Sequence, residues 1–418
     1  MIDPAGGEYV YGYDESNADT SIPGRIIGNL TSVTYPDGKK RMYWYNEPNK
    51  TYNSNFPTGL TGITDENGDR FATYRYDFAR RAISSEHGVG IERYTISYDL
   101  PFQYSTVTEP LGAKRMYRLT AVTQMVRSLG EYQANPVGTG IKARTFDASG
   151  NTSSTTDFNG NRTEFTYDLV RNLEIKRIEA AGTPYARTIM TQWHDKYHLP
   201  MKISEPLSVT NFTYDASGNL TVKSIQTTQD ATGANGFSAP VTGNARVRTY
   251  SYNEFGQVKT VTDPNQNTTT YDYDASGNLS TMTNPLMHVI TLSNYDANGR
   301  VGQIVNPNGL VTTLTYWPRG WLKSKTVGNE TTSYDYDGVG QLKKVTLPDG
   351  SYITYIYDGA HRLTDVIDSL GNKIHYTLDN FSNRTNEQVS DPSGTLSRQI
   401  SRQFDTLNRL QQVTGGAQ

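Results

Sequence analysis

The chain has 418 residues, a formal net charge of −3 at pH 7 and no cysteine. This charge gives no basic footprint for nucleic acid, and the lack of cysteine excludes disulfide frameworks, thiolate metal sites and cysteine nucleophiles. No apolar run approaches the length of about 18 residues that a membrane helix needs, so no membrane span is predicted.

Tyrosine, glycine and proline are abundant, at 30, 37 and 18 residues, while only 35% of the residues are hydrophobic. Tyrosine and threonine favour half-buried strands, whereas glycine, proline, asparagine and aspartate favour turns. We therefore expect many short strands joined by tight turns, with an apolar face built largely of tyrosine rings. The one stretch with a helical apolar period is Arg118 to Leu129, so helix is expected to be scarce.

The chain before Thr249 contains a recurring phrase in which an aromatic residue precedes an Asp or Asn and a turn. Its copies begin at Tyr13, Tyr45, Tyr76, Tyr98, Phe146, Tyr167 and Tyr214. The first residues look like the middle of a repeat, and Met1 to Asp14 lack the basic start and the apolar region of a signal peptide. We therefore expect the chain to be an excerpt of a longer protein.

From Thr249 to Arg384 the phrase becomes regular. Seven copies are anchored at Tyr252, Tyr273, Tyr295, Tyr316, Tyr336, Tyr357 and Leu378, with successive anchors 20 to 22 residues apart. This period predicts a repeat architecture, because two strands of about six residues and two turns of about four fill it. Each repeat is predicted to be a β-hairpin that pairs with the next, in a single array divergent over 1–210 and regular over 211–418.

Each regular copy contains positions with a predicted structural role. The acid after the aromatic residue is expected to accept backbone N–H groups, and the glycine four residues after the aromatic to take a positive φ. These turn and packing roles are given to Tyr273, Asp274, Gly277, Tyr295, Asp296, Gly299, Tyr336, Asp337, Gly340, Tyr357 and Asp358. Apolar pairs such as Val258 and Val261 are three residues apart, which predicts a β-bulge or a first member that belongs to the turn.

The phrases Tyr273–Leu279, Tyr295–Val301 and Tyr357–Leu363 resemble the YD repeats of the RHS (rearrangement hotspot) family. The resemblance covers nearly the whole chain and is strongest from Asn211 onward. It implies an all-β sheet of consecutive antiparallel hairpins that spirals into a hollow shell, as in bacterial polymorphic toxins, the Tc toxin C component and teneurins. In the bacterial members the shell encloses a C-terminal toxin.

No catalytic, cofactor-binding or metal-binding residue is predicted. His194 and His198 have the spacing of a zinc-binding helix, but on a strand they would lie about 13 Å apart, too far to share a metal. The repeated aspartates recur too evenly for a catalytic pair. The family's self-cleavage site has a DPxGW-type motif, whereas Asp391-Pro392-Ser393-Gly394 is followed by Thr395 instead of Trp.

The sequence therefore predicts a non-enzymatic shell segment of a secreted or cell-surface protein that encloses a linked toxin or effector. Other shell or secretion-system components are the expected partners, and nucleic acid is not. The alternative is a cell-surface adhesion or carbohydrate-binding module, in which Trp317 and Trp321 would contact a glycan.

Overall fold

The computed structural model describes residues 1–14, 28–99, 104–122, 125–135 and 141–417. Strands make up almost all of the regular structure in these ranges. The helices there are two three-residue 3-10 turns, Pro48–Lys50 and Gly236–Ser238. None of the helices in the described ranges has the length and apolar character that crossing a membrane requires.

The described residues form 34 strands, all members of one antiparallel sheet. The first seventeen are β1 (Val10–Asp14), β2 (Asn29–Thr34), β3 (Lys40–Tyr45), β4 (Leu60–Thr64), β5 (Arg70–Tyr76), β6 (Ala82–His87), β7 (Ile91–Tyr98), β8 (Tyr104–Thr108), β9 (Lys114–Val122), β10 (Met125–Asn135), β11 (Ile141–Phe146), β12 (Thr152–Thr156), β13 (Arg162–Asp168), β14 (Leu173–Glu179), β15 (Arg187–Trp193), β16 (Pro200–Glu205) and β17 (Ser208–Tyr214). The others are β18 (Leu220–Thr228), β19 (Val241–Tyr252), β20 (Val258–Thr262), β21 (Thr268–Tyr273), β22 (Leu279–Thr283), β23 (Val289–Ser293), β24 (Gln303–Val305), β25 (Val311–Tyr316), β26 (Leu322–Val327), β27 (Glu330–Tyr336), β28 (Leu342–Thr346), β29 (Tyr352–Tyr357), β30 (Leu363–Asp368), β31 (Lys373–Leu378), β32 (Arg384–Ser390), β33 (Leu396–Phe404) and β34 (Leu410–Ala417).

Strands pair with their neighbours in sequence, as the repeat predicts. β21 pairs with β22 through Thr270↔Thr283 and Tyr271↔Met282, and β20 pairs with β21 through Val261↔Thr269. Both ladders are antiparallel, so each 21-residue period is one hairpin joined to the next by a second tight turn. The all-β hairpin architecture predicted from the sequence is confirmed.

A β-bulge follows six of the seven regular turns, those anchored at Tyr252, Tyr273, Tyr316, Tyr336, Tyr357 and Leu378, and resolves the three-residue spacing of their apolar pairs. Tyr252 pairs with Val258, while Tyr250 pairs with Val261, so the ladder skips one residue between them. Alternate residues of a strand share a face, so the bulge returns Val258 and Val261 to the face of the two tyrosines. The expected bulge is therefore present, and Val258 belongs to the strand.

The suggested helix between Arg118 and Leu129 is wrong. Residues 114–122 and 125–135 are the strands β9 and β10. An apolar period read over three turns of helix is weak evidence when β-branched and aromatic residues lie on both sides, because tertiary pairing overrides it.

The chain divides into two compact units. The first comprises Met1–Tyr98, Thr106–Lys114 and Ser293–Gln418, and the second comprises Asp99–Ser105 and Arg115–Leu292. The division into divergent repeats before residue 210 and regular repeats after it stays a prediction.

Buried apolar side chains are few in the described residues. They are Val33, Ala72, Ala113, Val209, Ala239 and Tyr376. More polar than apolar residues are buried, including Asp65, Glu66 and Asp365. Since a buried polar group is costly unless it is hydrogen-bonded, the fold depends on its hydrogen-bond network as well as on half-buried tyrosine rings.

Candidate functional site

Six of the seven regular turns are organised by an Asp or Asn side chain directly after the anchor, and Trp317 takes this position in the seventh. The Asp274 carboxylate accepts hydrogen bonds from the backbone N–H groups of Ser276 and Asn278 at 2.9 Å, and from the Asn278 side chain at 3.0 Å. The Asn278 side chain and these backbone donors hold the pKa of the Asp274 carboxyl below its ordinary value, because they favour the charged form. The same pair of backbone hydrogen bonds is accepted by Asp296, Asp337 and Asp358.

The position four residues after the anchor has a positive φ in all seven regular copies. Its value is 83° at Gly277, 75° at Gly299 and 95° at Gly340. His361 and Ser382 replace glycine and still adopt 64° and 67°. An L side chain is disfavoured in this region by about 1 kcal/mol, so the turn imposes the conformation whatever the residue.

The anchor tyrosines join neighbouring hairpins. The Tyr273 hydroxyl donates to the backbone carbonyl of Val258, in the preceding hairpin, at 2.8 Å. The ladder between β20 and β21 ends at Thr260, so the tyrosine reaches a carbonyl beyond it. Burial raises the pKa of Tyr273, and the nearby Tyr271 raises it further. The same bond joins Tyr252 to Leu220, Tyr316 to Val301 and Tyr357 to Leu342. Tyr295 lies outside the strands, two residues after the end of β23.

The side chain four residues after the turn aspartate joins adjacent turns. Arg362 donates to the Asp358 carboxylate at 2.8 Å and to the backbone carbonyl of Asp379, in the next turn, at 2.7 Å. Gln341 donates to the carbonyl of His361 at 2.8 Å. The turns at Asp358 and Asp379 are therefore held by their own carboxylates and by a side chain of the repeat before them.

Turns that are far apart in sequence also meet inside the first unit. We call this contact the seam: residues 3–5, 35–41, 65–71 and 87–92 form its N-terminal side, and residues 298, 317–321, 337–341, 358–361 and 379–382 its C-terminal side. Hydrogen-bonded pairs across it are separated by 253 to 296 residues. Asn67 donates to the Asp337 carboxylate at 3.1 Å and accepts from the Gly338 N–H at 2.9 Å.

Arg319 makes the densest set of contacts in the seam. It donates to the Glu66 carboxylate at 3.0 Å and to the backbone carbonyl of Gly338 at 2.6 Å. The Glu66 side chain is fully buried and is also 3.1 Å from Arg41. A buried carboxylate is stable only when it is paired, so the two arginines make burial of Glu66 possible.

The same guanidinium lies between two aromatic rings. Its carbon is 3.9 Å from the ring centroid of Tyr35 and 4.5 Å from that of Trp321. Burial raises the pKa of the Tyr35 hydroxyl, and the Glu66 carboxylate adds to the effect. Cation–π contact of this kind is strongest where water is excluded. Tyr35 belongs to the N-terminal side and Trp321 to the C-terminal side, so the stack spans the seam.

A second cluster lies further along the seam. The His361 imidazole is 2.6 Å from the carboxylate of Asp65, whose side chain is fully buried. Its ring stacks on Phe71 with centroids 4.2 Å apart, and Phe71 stacks on His87 at 4.7 Å. Ser382 donates to Glu92 at 2.5 Å.

Trp317 and Trp321 line one open cleft of about 390 Å³ in the first unit, together with Tyr336, Asp337 and residues of the N-terminal side. The Trp317 indole donates to the carbonyl of Tyr334 at 3.0 Å, and Trp321 contacts Tyr336 at 5.4 Å between centroids. The structure thus brings four of the predicted residues together. Tyr273, Asp274 and Gly277 belong to the second unit.

The sequence features set aside as metal or protease candidates lie in turns. The His194 imidazole accepts from the backbone N–H groups of Lys196 and Tyr197 at 3.0 and 3.3 Å, in the position that aspartate takes elsewhere. The Asp391 carboxylate accepts from the N–H groups of Ser393 and Thr395 between β32 and β33. Across the described ranges, no three or more histidine, aspartate or glutamate side chains are grouped so that they could hold a metal ion.

Sequence reasoning missed the seam and its residues Arg319, Glu66, Asp65 and Glu92. No periodic pattern pairs positions more than 250 residues apart. One signal was available: His361 and Ser382 interrupt the run of glycines, and both reach across the seam.

Comparison with known proteins finds a match to a sequence family and matches to solved structures. The teneurin YD-shell profile matches residues 159–294 and 237–386, which together cover more than half of the chain. A search among curated protein sequences finds no match.

Among solved structures, TcdB2-TccC3 matches with 16% identity and a TM-score of 0.72, over 98% of this chain and 23% of that chain. TcdB2-TccC3-Cdc42 matches with 15% identity and a TM-score of 0.68, over 99% and 25%. The Photorhabdus luminescens Tc holotoxin pore with the mutation TccC3-D651A matches with 16% identity and a TM-score of 0.65, over 98% and 22%. At these identities the likeness concerns the fold, and the chain spans about a quarter of the length of these structures.

Proposed function

The chain belongs to the teneurin YD-shell family, and we propose that it forms part of a shell wall that encloses a linked polypeptide cargo, a toxin or effector domain. The observation that carries the proposal is the seam, which joins two rows of hairpin turns through a buried arginine–glutamate ion pair and a buried histidine–aspartate contact. A single sheet with so little apolar core needs such lateral contacts to act as a barrier. In this proposal the whole chain is one array, and its structural role is non-catalytic.

The hydrogen bonding of the repeats supports a structural role. The backbone of the same turn binds the carboxylates of Asp274, Asp296, Asp337 and Asp358. Carbonyls of the preceding hairpin accept hydrogen bonds from the hydroxyls of Tyr252, Tyr273, Tyr316 and Tyr357. Groups used in this way are unavailable as a general acid or base, which needs a free position within hydrogen-bond reach of a substrate.

The names of the matched structures suggest the partners. They name TcdB2-TccC3 and a Tc holotoxin pore. We propose that this chain likewise works with toxin cargo and with further shell or secretion components, outside the cell or at its surface.

Limited proteolysis of the protein as its gene encodes it tests enclosure. We expect mass spectrometry to find a non-repeat segment that resists protease while the repeats are intact and is digested after mild denaturation. The Arg319→Met variant, which weakens the seam, should shorten that protection. Digestion of every non-repeat segment at the rate of an unfolded peptide would reject the proposal.

A second candidate function is carbohydrate binding in the cleft beside Trp317 and Trp321. Asp335 and Lys343 also line the cleft, and the side chain of neither makes a hydrogen bond or ion pair with the described residues. Binding sites commonly combine apolar or aromatic walls with a few free polar groups. A saccharide fits this combination, since its C–H faces pack on indoles and its hydroxyls bind carboxylates and ammonium groups.

A glycan array probed with the whole protein tests this second function. Trp321 also supports Arg319, so Asp335→Asn and Lys343→Ala are the cleaner variants, and Asp272→Asn, a carboxylate outside the cleft, is the control. We expect at least tenfold weaker binding for the first two and no change for the control. If the unmodified protein retains no glycan on the array, carbohydrate binding is eliminated as a function.

A further inference from the structure

We propose that His361 and Ser382 are positioning residues that set which turns meet across the seam. Both occupy the position where the other five regular copies have glycine. Both hold positive φ values, 64° and 67°, that glycine would adopt without strain. The local turn therefore gives no reason for either side chain.

The reason lies across the seam. His361 contacts the buried Asp65 carboxylate at 2.6 Å and stacks on Phe71, and Ser382 donates to Glu92 at 2.5 Å. The preceding seam copy keeps Gly340 and uses its backbone instead, through the Gly338 N–H that donates to Asn67. The copies that need a side chain to reach a partner carboxylate are the ones that lack glycine.

The N-terminal side has matching irregularities. Glu92 also has a positive φ, 49°, and its N–H donates to the carbonyl of Asn380 at 2.9 Å. Gly88 has a φ of 48°, and a Cβ there would lie 3.2 Å from the backbone nitrogen of Ala360. Strain is thus placed on both sides where the two rows meet.

These contacts oppose a slip of one repeat. A slip that brought Gly340 opposite Asp65 would leave a fully buried carboxylate without its imidazole partner. Asp65 would keep the backbone N–H groups of Asn67 and Asp69 on one carboxylate oxygen, but the oxygen that contacts His361 would be buried without a partner, which is unfavourable. Glu92, which is partly exposed, would lose its bond from Ser382, so the observed register satisfies both carboxylates. That this register matters for a shell wall rests on the proposed function, whereas the register of the seam itself does not.

Replacing His361 or Ser382 by glycine distinguishes a role in the seam from a role in the local turn, because the two roles predict opposite changes in stability. If His361 and Ser382 serve only their own turns, His361→Gly and Ser382→Gly relieve strain and stabilise the protein. If they position the seam, the same changes weaken it. Gln266→Gly is the matched control, since Gln266 is exposed in a turn with a φ of 66°.

Hydrogen exchange reads out the seam directly. The N–H groups of Glu92 and Gly338 donate across it, whereas that of Tyr250 lies in a sheet ladder of the second unit. We expect at least tenfold faster exchange at Glu92 and Gly338 in both glycine variants, with Tyr250 unchanged and Gln266→Gly unchanged at all three.

Exchange at Glu92 and Gly338 that stays the same or slows in both variants would overturn the proposal. His361→Asn, which tolerates positive φ but has a shorter side chain, should behave as His361→Gly does. Failure of His361→Gly to fold, beside a folded Gln266→Gly, would also support the proposal, because turn strain alone cannot cause it. Cargo protection is measured separately, so the seam register can hold even if enclosure fails.

Discussion

At the residue scale, each turn aspartate accepts several hydrogen bonds from the backbone with one carboxylate. Asp274 accepts from Ser276 and Asn278, and Asn253 makes the equivalent pair of bonds in another copy at 3.0 Å. An Asx turn needs an acceptor oxygen but no charge, which explains why Asp and Asn exchange at this position.

The lowered pKa values of these aspartates predict loss of stability in acid. Hydrogen bonds from Asn278 lower the pKa of Asp274, and those from Asn267 lower the pKa of Asp263. The unfolded chain then binds more protons than the folded one near its own pKa of about 3.9. The stabilisation is complete above that pH and is lost as the pH falls through the lower folded-state pKa.

Thermal unfolding between pH 2 and 7 measures this effect. Asp274→Asn combined with Asp263→Asn should flatten the decline of the unfolding temperature below about pH 4. Asp335→Asn, which removes a carboxylate that caps no turn, should leave the decline as it is. An unchanged slope in the double variant would contradict the assignment.

At the element scale, the hairpins are coupled by tyrosine hydroxyls where the backbone ladders end. The bulge lies at the start of β20, where Val258 stands beyond the last β20–β21 pair at Thr260, and the Tyr273 hydroxyl bridges this gap to the Val258 carbonyl. The bulge and the tyrosine therefore act together: one turns apolar residues to a common face, and the other satisfies the carbonyl left beyond the ladder.

Removing that hydroxyl should loosen two neighbouring hairpins. Tyr273→Phe leaves the Val258 carbonyl without its donor, and we expect a loss of about 1 kcal/mol in the local opening free energy by hydrogen exchange at Thr260 to Thr262. Tyr271→Phe is the control, because the Tyr271 hydroxyl makes no hydrogen bond with the described residues. Equal effects of the two changes would show that ring packing, and not the bond, joins the hairpins.

At the scale of the whole molecule, the seam holds together parts of the first unit that lie at opposite ends of the chain. It buries Glu66 and Asp65 and pairs them with Arg41, Arg319 and His361. Burying charge costs free energy, so these groups add specificity to the contact more than net stability.

Breaking one buried pair should open the seam. Arg319→Met retains an apolar stem but leaves Glu66 with Arg41 alone, and we expect about 3 kcal/mol lower opening free energy at the Gly338 amide. Arg93 pairs with Glu86 at 3.4 Å and is half exposed, so Arg93→Met should cost no more than about 1 kcal/mol. Similar losses of opening free energy in the two variants would show that Arg319 is not central to the seam.

The sequence by itself determined the local architecture. Hairpin period, turn chemistry, positive φ at Gly277 and the bulge beside Val258 depend on contacts within one repeat or between adjacent ones, and such contacts recur with the sequence period. Only the tertiary structure decided the seam, the burial of Glu66 and the cleft beside Trp317 and Trp321. Those depend on which turns meet across more than 250 residues, and that choice comes from the accumulated geometry of many hairpins, which no single repeat encodes.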